Sequence, residues 1–552
     1  MTEKFITLRR GRVALVAVCA AIVPSSGNAQ DATTERIEAI ERQIKSLTGE
    51  LKQLKNELGA AKQQLQQSRS EAQRSKEEAR QAREAADQAR QGAAQAATAE
   101  SQATQAAAQA QAALAAAPPA PAAAGKGIEV GFPGGRPTIA TSDGKMSFAI
   151  GMQVQYDVGG YFQNNVTPNT QFPHLNSPGY NLRRGRIFFV ARYDDWTLNI
   201  TPDFGGSPDG NTSSQFLYEA NLNYTGFKPV TATIGYFKPW FSLYDSQSSN
   251  DFLLMERPSI VEIARNVAAG DARATAGLKA STDQWFAAWA LTGSPFGAQS
   301  ASLTNGQQLS TVGRLAGRPY YDKDWNIQLD ASGEYVFHPN INASGTPGVS
   351  REVFNLQDRP ELRIDMNRLI STGNLSISNV NVYGGEVGIN WRNLLLQGGY
   401  YHIGETQSKL PGQPAPGLNF NGGYVEAGWV LTGEPIRYNT GAAAWARPKV
   451  DDPFTIGPNG FETGAGAWEL AARWSVMNLN SNVTPGVSQS VTGGIFGGYQ
   501  QVFGANLSWY PNDWVRFYLQ FQYTQVDKLN SAGTAQIGQK FETIAGRAQV
   551  SF

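Results

Sequence analysis

Apolar and polar side chains alternate with a period of two from about residue 145 to the end of the chain. The alternation is clearest in residues 514–526, where one face carries the apolar side chains of Val515, Phe517, Leu519, Phe521 and Tyr523. Residues 147–157 and 466–477 repeat the pattern. Because successive side chains of a strand point to opposite faces, the pattern predicts β-strands. Segments of about ten residues are also long enough for a tilted strand to cross a bilayer.

The connections between these segments are of two kinds. Tight turns are predicted at residues 193–196, 226–229, 322–324, 391–393 and 510–514. Long polar connections are predicted at residues 160–179, 293–308, 405–417, 480–497 and 528–540. Short turns at one end and long loops at the other are typical of outer-membrane barrels. Residues 126–552 are therefore predicted to form an all-β domain, a transmembrane antiparallel β-barrel of about 16 strands, if residues 338–380 are one long outer loop.

One connection, residues 235–273, is long, apolar and cationic at the same time. Aromatic residues stand at its start, and Phe252, Leu254 and Ile260 are among its apolar residues. Loops of this length inside a domain are usually functional or disordered, and the apolar content argues against disorder. Strand counting makes it the third outer loop. We predict that it folds inward and sets what can pass through a pore.

A three-and-four spacing of apolar residues marks a separate unit near the N-terminus. Residues at this spacing are Ile37, Ile40, Ile44, Leu47, Leu51, Leu54, Leu58, Ala61 and Leu65. This heptad pattern predicts an α-helical coiled coil within residues 30–93, and Ile at both core positions of the first heptad favours three strands. A single charged helix is the alternative. Residues 94–125 are rich in Ala and Pro and are predicted to be a linker.

The first 29 residues have the features of a secretory signal peptide. A basic start, with Lys4, Arg9, Arg10 and Arg12, precedes an apolar run at residues 13–23 and small residues near Ala29. The apolar run is too short to span a bilayer as a helix. Combined with a barrel, export predicts a Gram-negative outer-membrane protein whose coiled coil lies in the periplasm.

Composition narrows the chemistry that the chain can perform. The formal net charge is zero, which gives no global case for nucleic-acid binding. The one cysteine, Cys19, lies in the predicted signal peptide, and the histidines His174, His338 and His402 are scattered. No ligand cluster, nucleophile–base arrangement or phosphate-cradling glycine loop stands out. The sequence therefore predicts a protein that is not an enzyme, with no catalytic residues, no metal site and no cofactor.

Several short segments carry a resemblance to a known family. They are residues 181–186 (NLRRGR), 235–242 (GYFKPWFS) with 255–257 (MER), 422–434 (GGYVEAGWVLTGE), 466–475 (GAWELAARWS), 504–511 (GANLSWYP) and 547–552 (RAQVSF). In order and spacing they resemble the phosphate-selective porins O and P, to which the coiled coil is an addition. The resemblance implies a homotrimer of barrels of about 16 strands, in which the third outer loop enters the lumen and pore-lining cations bind anions. A trimeric coil would match a trimeric barrel.

The candidate anion contacts are cations of the long loop and cations that strand parity directs inward. They are Arg184, Arg186, Lys238, Arg257, Arg265, Arg273, Arg473 and Arg516. Arginine suits phosphate because its planar fork gives two charge-assisted hydrogen bonds and stays charged. The alternative for each is a solvated or ion-paired side chain, since the loop also carries Asp251, Glu256, Glu262 and Asp271. Arg183 breaks the parity of its strand.

Four further arginines are expected in the long outer loop, where they could form a funnel. They are Arg351, Arg359, Arg363 and Arg368. The leading hypothesis is an anion-selective porin that prefers phosphate or pyrophosphate and lies among outer-membrane lipids. One alternative is a less specific porin for anions and other small solutes. Another is a structural protein that the barrel anchors and whose coiled coil contacts peptidoglycan.

Overall fold

The computed structural model describes residues 127–163, 166, 169–175, 178–205, 216–297, 306–339, 341–343, 350–408, 414–457 and 460–552. The predicted signal peptide, coiled coil and linker lie outside the described residues. No helix in the described part of the chain is long and apolar enough to cross a membrane.

The described residues contain 26 strands and three α-helices. The strands are β1 (Ile128–Gly131), β2 (Thr138–Thr141), β3 (Met146–Phe162), β4 (Gly179–Tyr193), β5 (Trp196–Pro202), β6 (Leu217–Tyr224), β7 (Val230–Phe237), β8 (Arg273–Ser281), β9 (Trp285–Pro295), β10 (Leu309–Tyr321), β11 (Trp325–His338), β12 (Ile341–Ala343), β13 (Ser350–Phe354), β14 (Gln357–Asp358), β15 (Ile370–Ser371), β16 (Leu375–Trp391), β17 (Leu394–Gln407), β18 (Leu418–Val430), β19 (Arg437–Asn439), β20 (Ala444–Ala446), β21 (Thr455–Gly457), β22 (Gly460–Thr463), β23 (Ala467–Ser481), β24 (Ile495–Tyr510), β25 (Val515–Asp527) and β26 (Gln539–Ser551). The helices are α1 (Leu243–Ser246), α2 (Ser259–Ala268) and α3 (Gln489–Thr492), and Pro133–Gly135 forms a 3-10 turn.

Sixteen of these strands form a closed antiparallel barrel: β3 to β11, β16 to β18 and β23 to β26. Each pairs with the next along the barrel, and the last pairs with the first, with Ser551 of β26 opposite Gln153 of β3. Each barrel strand pairs with a neighbour on both sides, which supplies backbone partners that lipid cannot provide. The prediction of an antiparallel barrel with about 16 strands is confirmed.

Exposure along the strands follows the predicted parity. In β25, Leu519 is 59% exposed, whereas Arg516 and Gln520 are fully buried. An apolar outer face suits lipid, and a polar inner face suits a lumen. Side chains on the buried face of the barrel strands are called inward-facing below.

The tight turns lie where the sequence predicts them, and aromatic residues flank them. Tyr193 pairs with Trp196 across the turn between β4 and β5. The ring of Trp196 lies 4.6 Å from that of Tyr224, and the rings of Trp325 and Trp391 are 6.1 Å apart, measured between centroids. Aromatic residues at strand ends are typical of membrane interfaces.

One long connection at the tight-turn end is not revealed by periodicity. Residues 431–466 join β18 to β23, and Trp445 within them is 2% exposed and packs against Leu243 and Leu254. The apolar residues of this connection are too widely spaced to form a periodic pattern. Its position therefore depends on contacts with residues distant in the sequence.

A short hairpin precedes the barrel. Strands β1 and β2 pair with each other, and β2 pairs with the start of β3, where Ile139 lies opposite Phe148. β26 pairs with β3 only from Gln153 onward. The hairpin thus covers the edge of β3 that the C-terminal strand leaves unpaired.

The outward orientation of Leu519 predicts the result of a charge substitution. Leu519→Arg should lower the free energy of unfolding by about 2–4 kcal/mol in lipid, because it places a cation near the bilayer midplane. Urea unfolding in vesicles, followed by tryptophan fluorescence, measures this loss. The matched control is Val491→Arg, since Val491 lies in α3, outside the barrel strands, and is 68% exposed. Equal stability losses in both variants would contradict the assigned orientation.

Candidate functional site

The connection between β7 and β8, residues 238–272, is here named the β7–β8 segment. Ser242 caps α1, because its hydroxyl accepts a hydrogen bond from the Asp245 amide at 3.0 Å. Helix α2 follows Pro258 and buries Ile260 and Val267, among other apolar side chains. Of the apolar residues that argued against disorder, Phe252 and Ile260 belong to the largest hydrophobic cluster, and Leu254 belongs to the cluster that contains Trp445.

Inward-facing side chains of distant strands bind the backbone of the β7–β8 segment. In three of these contacts a side-chain oxygen accepts a hydrogen bond from a backbone N–H. Glu386 accepts from Leu243 at 2.6 Å, Gln520 accepts from Met255 at 2.9 Å, and Glu334 accepts from Ala268 at 3.0 Å. Asn506 donates to the Leu253 carbonyl at 3.0 Å. Buried backbone groups need partners, and here the wall of the barrel supplies them.

Glu256 of the β7–β8 segment is paired with three arginines of the barrel strands. Its carboxylate accepts hydrogen bonds from Arg183 at 2.7 and 3.1 Å and from Arg547 at 2.6 Å, and Arg184 lies 3.5 Å away. Arg547 also holds Asp157 with two hydrogen bonds of 2.6 and 2.8 Å. Burial acts to raise the pKa of Glu256, but the three arginines outweigh it and hold that pKa well below its usual range.

Two of these arginines were not among the predicted contacts. Arg183 lies at a register shift between β3 and β4, since Gln155 pairs with Arg184 and the next residue, Tyr156, pairs with Leu182. Such a bulge lets two adjacent arginines reach the same carboxylate, which strict alternation does not predict. Arg547 faces inward by the parity of the C-terminal strand, so the alternation in the sequence already predicts this orientation.

The predicted contacts on the strands are inward-facing and bound to carboxylates. Arg186 pairs with Asp203 at 2.7 Å and stacks on the ring of Tyr218, 3.4 Å from its centroid. Arg473 pairs with Glu361, and Arg516 pairs with Glu469 at 2.6 Å. Arg473 and Arg516 are at most 1% exposed. Their guanidinium groups therefore stabilise the interior as ion pairs.

Arg265 of the β7–β8 segment and Arg273, the first residue of β8, are also held within the protein. Arg265 pairs with Asp245 at 2.5 Å and with Asp271 at 2.6 Å. Arg273 donates to the backbone carbonyls of Ala269 and Gly293, each at 2.8 Å. Arg273 thus fixes the turn that returns the chain to β8.

Lys238 borders the space that remains, and Arg257 is buried close to it. The Arg257 guanidinium lies 5.0 Å from the centroid of the Phe252 ring and 3.4 Å from Glu262. Lys238 lines a cavity of about 300 Å³ together with Glu219 and Lys279, among others. Burial, followed by repulsion from Arg257, lowers the pKa of Lys238 to about 8.

The open space borders only part of the barrel wall. Inward-facing Asn199 of β5, Glu219 of β6 and Lys279 of β8 are half-buried. Gln522 of β25 and Thr543 of β26, in contrast, are fully buried. The wall on the β25–β26 side is therefore covered, and the side of β5, β6 and β8 faces the opening.

A second connection also covers the wall, contrary to expectation. Residues 355–374, between β13 and β16, bury Leu362, and the Pro360 carbonyl accepts a hydrogen bond from Gln522 at 2.7 Å. The expected exposed funnel is therefore wrong for Arg359, which is 3% exposed, and for Arg363, which lies 3.1 Å from Glu262. Polar composition suggested an outer loop, but the connection carries enough apolar residues to pack inside.

Within the described residues, no group of three or more His, Cys, Asp or Glu side chains could hold a metal ion. The carboxylates near the opening are instead matched with cations. Burial acts to raise the pKa of Glu262, but Arg265, Arg363 and Arg257 outweigh it and hold that pKa at about 2. The site therefore offers permanent charges of both signs.

Comparisons with known proteins agree with this architecture. A family model described as phosphate-selective porin O and P matches residues 148–552. Porin O of Pseudomonas aeruginosa is 23% identical over 430 residues, which cover 73% of this chain and 89% of that protein. An uncharacterized protein of Caulobacter vibrioides is 26% identical over 306 residues, and the match spans about half of each chain, 53%.

Several solved structures resemble this chain, but with low sequence identity and low TM-scores. The anion-selective porin from Comamonas acidovorans has a TM-score of 0.42 at 9% identity, covering 74% of this chain and all of that one. OmpT, an outer membrane protein of Vibrio cholerae, has a TM-score of 0.42 at 10% identity, with coverage of 74% and 98%. Likenesses this distant carry nothing about function.

The pairing of Glu256 predicts how a neutral substitution acts. Glu256→Gln should weaken the attachment of the β7–β8 segment by about 3–5 kcal/mol, because it leaves Arg183, Arg184 and Arg547 without their shared carboxylate. Limited proteolysis should then cut within residues 238–272, while the barrel still migrates as a folded species in unheated gel samples.

The matched control is Glu129→Gln, since Glu129 lies exposed in β1. It should leave the protease pattern unchanged. An uncleaved β7–β8 segment in Glu256→Gln would show that the other wall contacts alone hold it.

Proposed function

The chain belongs to the phosphate-selective porin O and P family, and from this premise we propose that it is an outer-membrane porin through which small anions diffuse. The observation that carries the proposal is the attachment of the β7–β8 segment to inward-facing side chains of widely separated strands, with Lys238 beside the remaining space. A porin performs no bond chemistry. Its selectivity comes from charges placed where low-dielectric walls concentrate the field.

The β7–β8 segment acts in this proposal as the constriction. It follows the fifth barrel strand and is the third connection at the long-loop end, as the predicted inward-folded loop of residues 235–273 requires. Its backbone contacts with Glu386, Gln520 and Glu334 support a position inside the barrel. An anion would then pass between this segment and strands β5, β6 and β8.

The finer proposal is a preference for phosphate or pyrophosphate. Lys238 is the cation best placed for direct contact, because it lines the cavity together with Tyr218 and Glu219. Arg186, which stacks on Tyr218, and Arg257, which acts electrostatically on Lys238, lie behind it. Arg184, Arg265, Arg273, Arg473 and Arg516 would act through their field, since each is buried among protein partners. An arginine fork suits phosphate oxygens, and contacts spread over several cations allow the anion to leave.

The carboxylates of the same region favour a second candidate. Glu262 and Asp271 lie within the β7–β8 segment, and Asp203 pairs with Arg186. Cations balanced in this way attract anions without strong preference, so a less specific porin for small anions and other solutes is the alternative. Competition between phosphate and other anions for the same current distinguishes the two.

The assembly is a further part of the proposal. A homotrimer among outer-membrane lipids, with the coiled coil of residues 30–93 in the periplasm, follows from the heptad pattern and from the family. The coiled coil lies outside the described residues, so contact with peptidoglycan and a tethering role stay predictions.

Planar-bilayer recording tests the conduction that we propose. The protein should be anion-selective, and phosphate added to chloride solution should reduce the current. Arg257→Ala should raise the phosphate concentration for half block by about tenfold, since it removes one positive charge close to Lys238, worth about 1.4 kcal/mol at intermediate dielectric. Arg192→Ala is the matched control, because Arg192 is exposed at the end of β4. Cation selectivity, or currents that phosphate leaves unchanged, would sink the proposal.

The lowered pKa of Lys238 predicts a pH dependence of the block. With a pKa of about 8, Lys238 is roughly nine-tenths protonated at pH 7 and roughly one-tenth at pH 9. Phosphate block should therefore weaken as pH rises from 7 to 9, while Arg257 and Arg265 keep their charge. In Lys238→Arg the weakening should disappear. If that variant kept the same pH profile, Lys238 would not be the titrating group.

A further inference from the structure

Asp271 lies where several cations of the proposed constriction converge. Its carboxylate accepts a hydrogen bond from Arg265 at 2.6 Å, and its side chain is 37% exposed, whereas that of Arg265 is 2% exposed. Arg257, Lys238 and Arg186 also act electrostatically on this carboxylate. Asp271 is therefore a partly exposed carboxylate that is held by a buried arginine.

The backbone around Asp271 holds the carboxylate in a fixed position. Its neighbours Gly270 and Ala272 both adopt left-handed backbone conformations, with φ of 64° and 47°. Arg273 donates to the carbonyls of Ala269 and Asn266, at 2.8 and 3.3 Å. A non-glycine residue in this conformation persists only when its surroundings determine it. The carboxylate is thus presented to the opening by a rigid turn.

Arg265 does not need Asp271 for neutralisation. The Asp245 carboxylate, which is fully buried, lies 2.5 Å from Arg265, and Glu262 lies 3.7 Å from it. Burial acts to raise the pKa of Asp271, but Arg265, Arg257, Lys238 and Arg186 outweigh it and keep that pKa far below its usual range. Asp271 is therefore an anion that these four cations stabilise together.

The charges around the opening are close to balance. The cations are Arg186, Lys238, Arg257, Arg265 and Lys279, and the carboxylates are Asp203, Glu219, Asp245, Asp251, Glu262 and Asp271. Six carboxylates against five cations leave no positive excess for a permeating anion. Where the balance is this close, a single carboxylate decides the sign of the local field.

We propose that Asp271 is a specificity-determining residue whose carboxylate stands in the place of the permeating anion among Arg186, Lys238, Arg257 and Arg265. This inference rests on the proposed anion conduction. The tethered carboxylate competes with phosphate oxygens for the same donors, which weakens binding and speeds release. Conduction requires a site that an anion can leave, and Asp271 sets how readily it does so.

Three variants test this role in planar bilayers. Asp271→Asn keeps the size of the side chain and removes its charge. It should shift the reversal potential in a salt gradient towards greater anion selectivity, and lower the phosphate concentration for half block by about tenfold, as expected for one charge at intermediate dielectric. Asp271→Glu should restore the wild-type selectivity. Asp195→Asn, at the exposed turn between β4 and β5, should change neither quantity.

The outcomes separate this inference from the proposed function. If the wild-type protein conducts anions but Asp271→Asn has the same selectivity and phosphate block, the role of Asp271 is overturned and anion conduction stands. If the wild-type protein prefers cations, the proposed function fails first. If Asp271→Asn and Asp271→Glu lose current alike, Asp271 only holds the turn in shape, and the inference is again overturned.

Discussion

The ion-pair network between Glu256 and three arginines is the interaction on which the rest of the interior depends. Arg183 and Arg184 come from β4, Arg547 comes from β26, and β3 lies between those strands where the barrel closes. Removing one partner would leave a buried charge uncompensated, which is costly in a low-dielectric interior. This ion-pair network therefore attaches the β7–β8 segment to the barrel wall. It also links β4 and β26, the strands on either side of β3 where the barrel closes.

The other inward-facing charges also need a partner of opposite sign. Arg473 is held by Glu361, which belongs to the connection between β13 and β16, and Arg516 is held by Glu469 within the wall. Each arginine serves two purposes, since it satisfies a carboxylate and fixes a connection or a neighbouring strand. Most inward-facing cations are consequently committed to structure. In the proposed porin, selectivity then depends on the few charges that stay beside the opening, not on the net charge of the chain.

Sequence alone predicts the barrel but only part of its interior. Alternation places Arg516 inward and Leu519 outward because the period of a strand is fixed by backbone geometry. It cannot pair Arg547 with Asp157, since these residues are 390 positions apart and meet only when the barrel closes. It also does not place Arg183, because a bulge shifts parity by one residue, and it misses the burial of residues 443–445 in the connection between β18 and β23, where apolar residues occur without a period.

The polarity of the inner face therefore does not measure the width of the pore. Gln520 and Glu386 are inward-facing and polar, as a water-filled lumen requires, yet they bind backbone groups of the β7–β8 segment. In the proposed inward-folded arrangement, polar residues on that wall replace the water that the segment displaces and supply partners for its backbone groups. The opening is then left to strands such as β6 and β8, where Glu219 and Lys279 stay half-buried. A solute that passes through the proposed pore would meet the side chains of only a few of the sixteen strands.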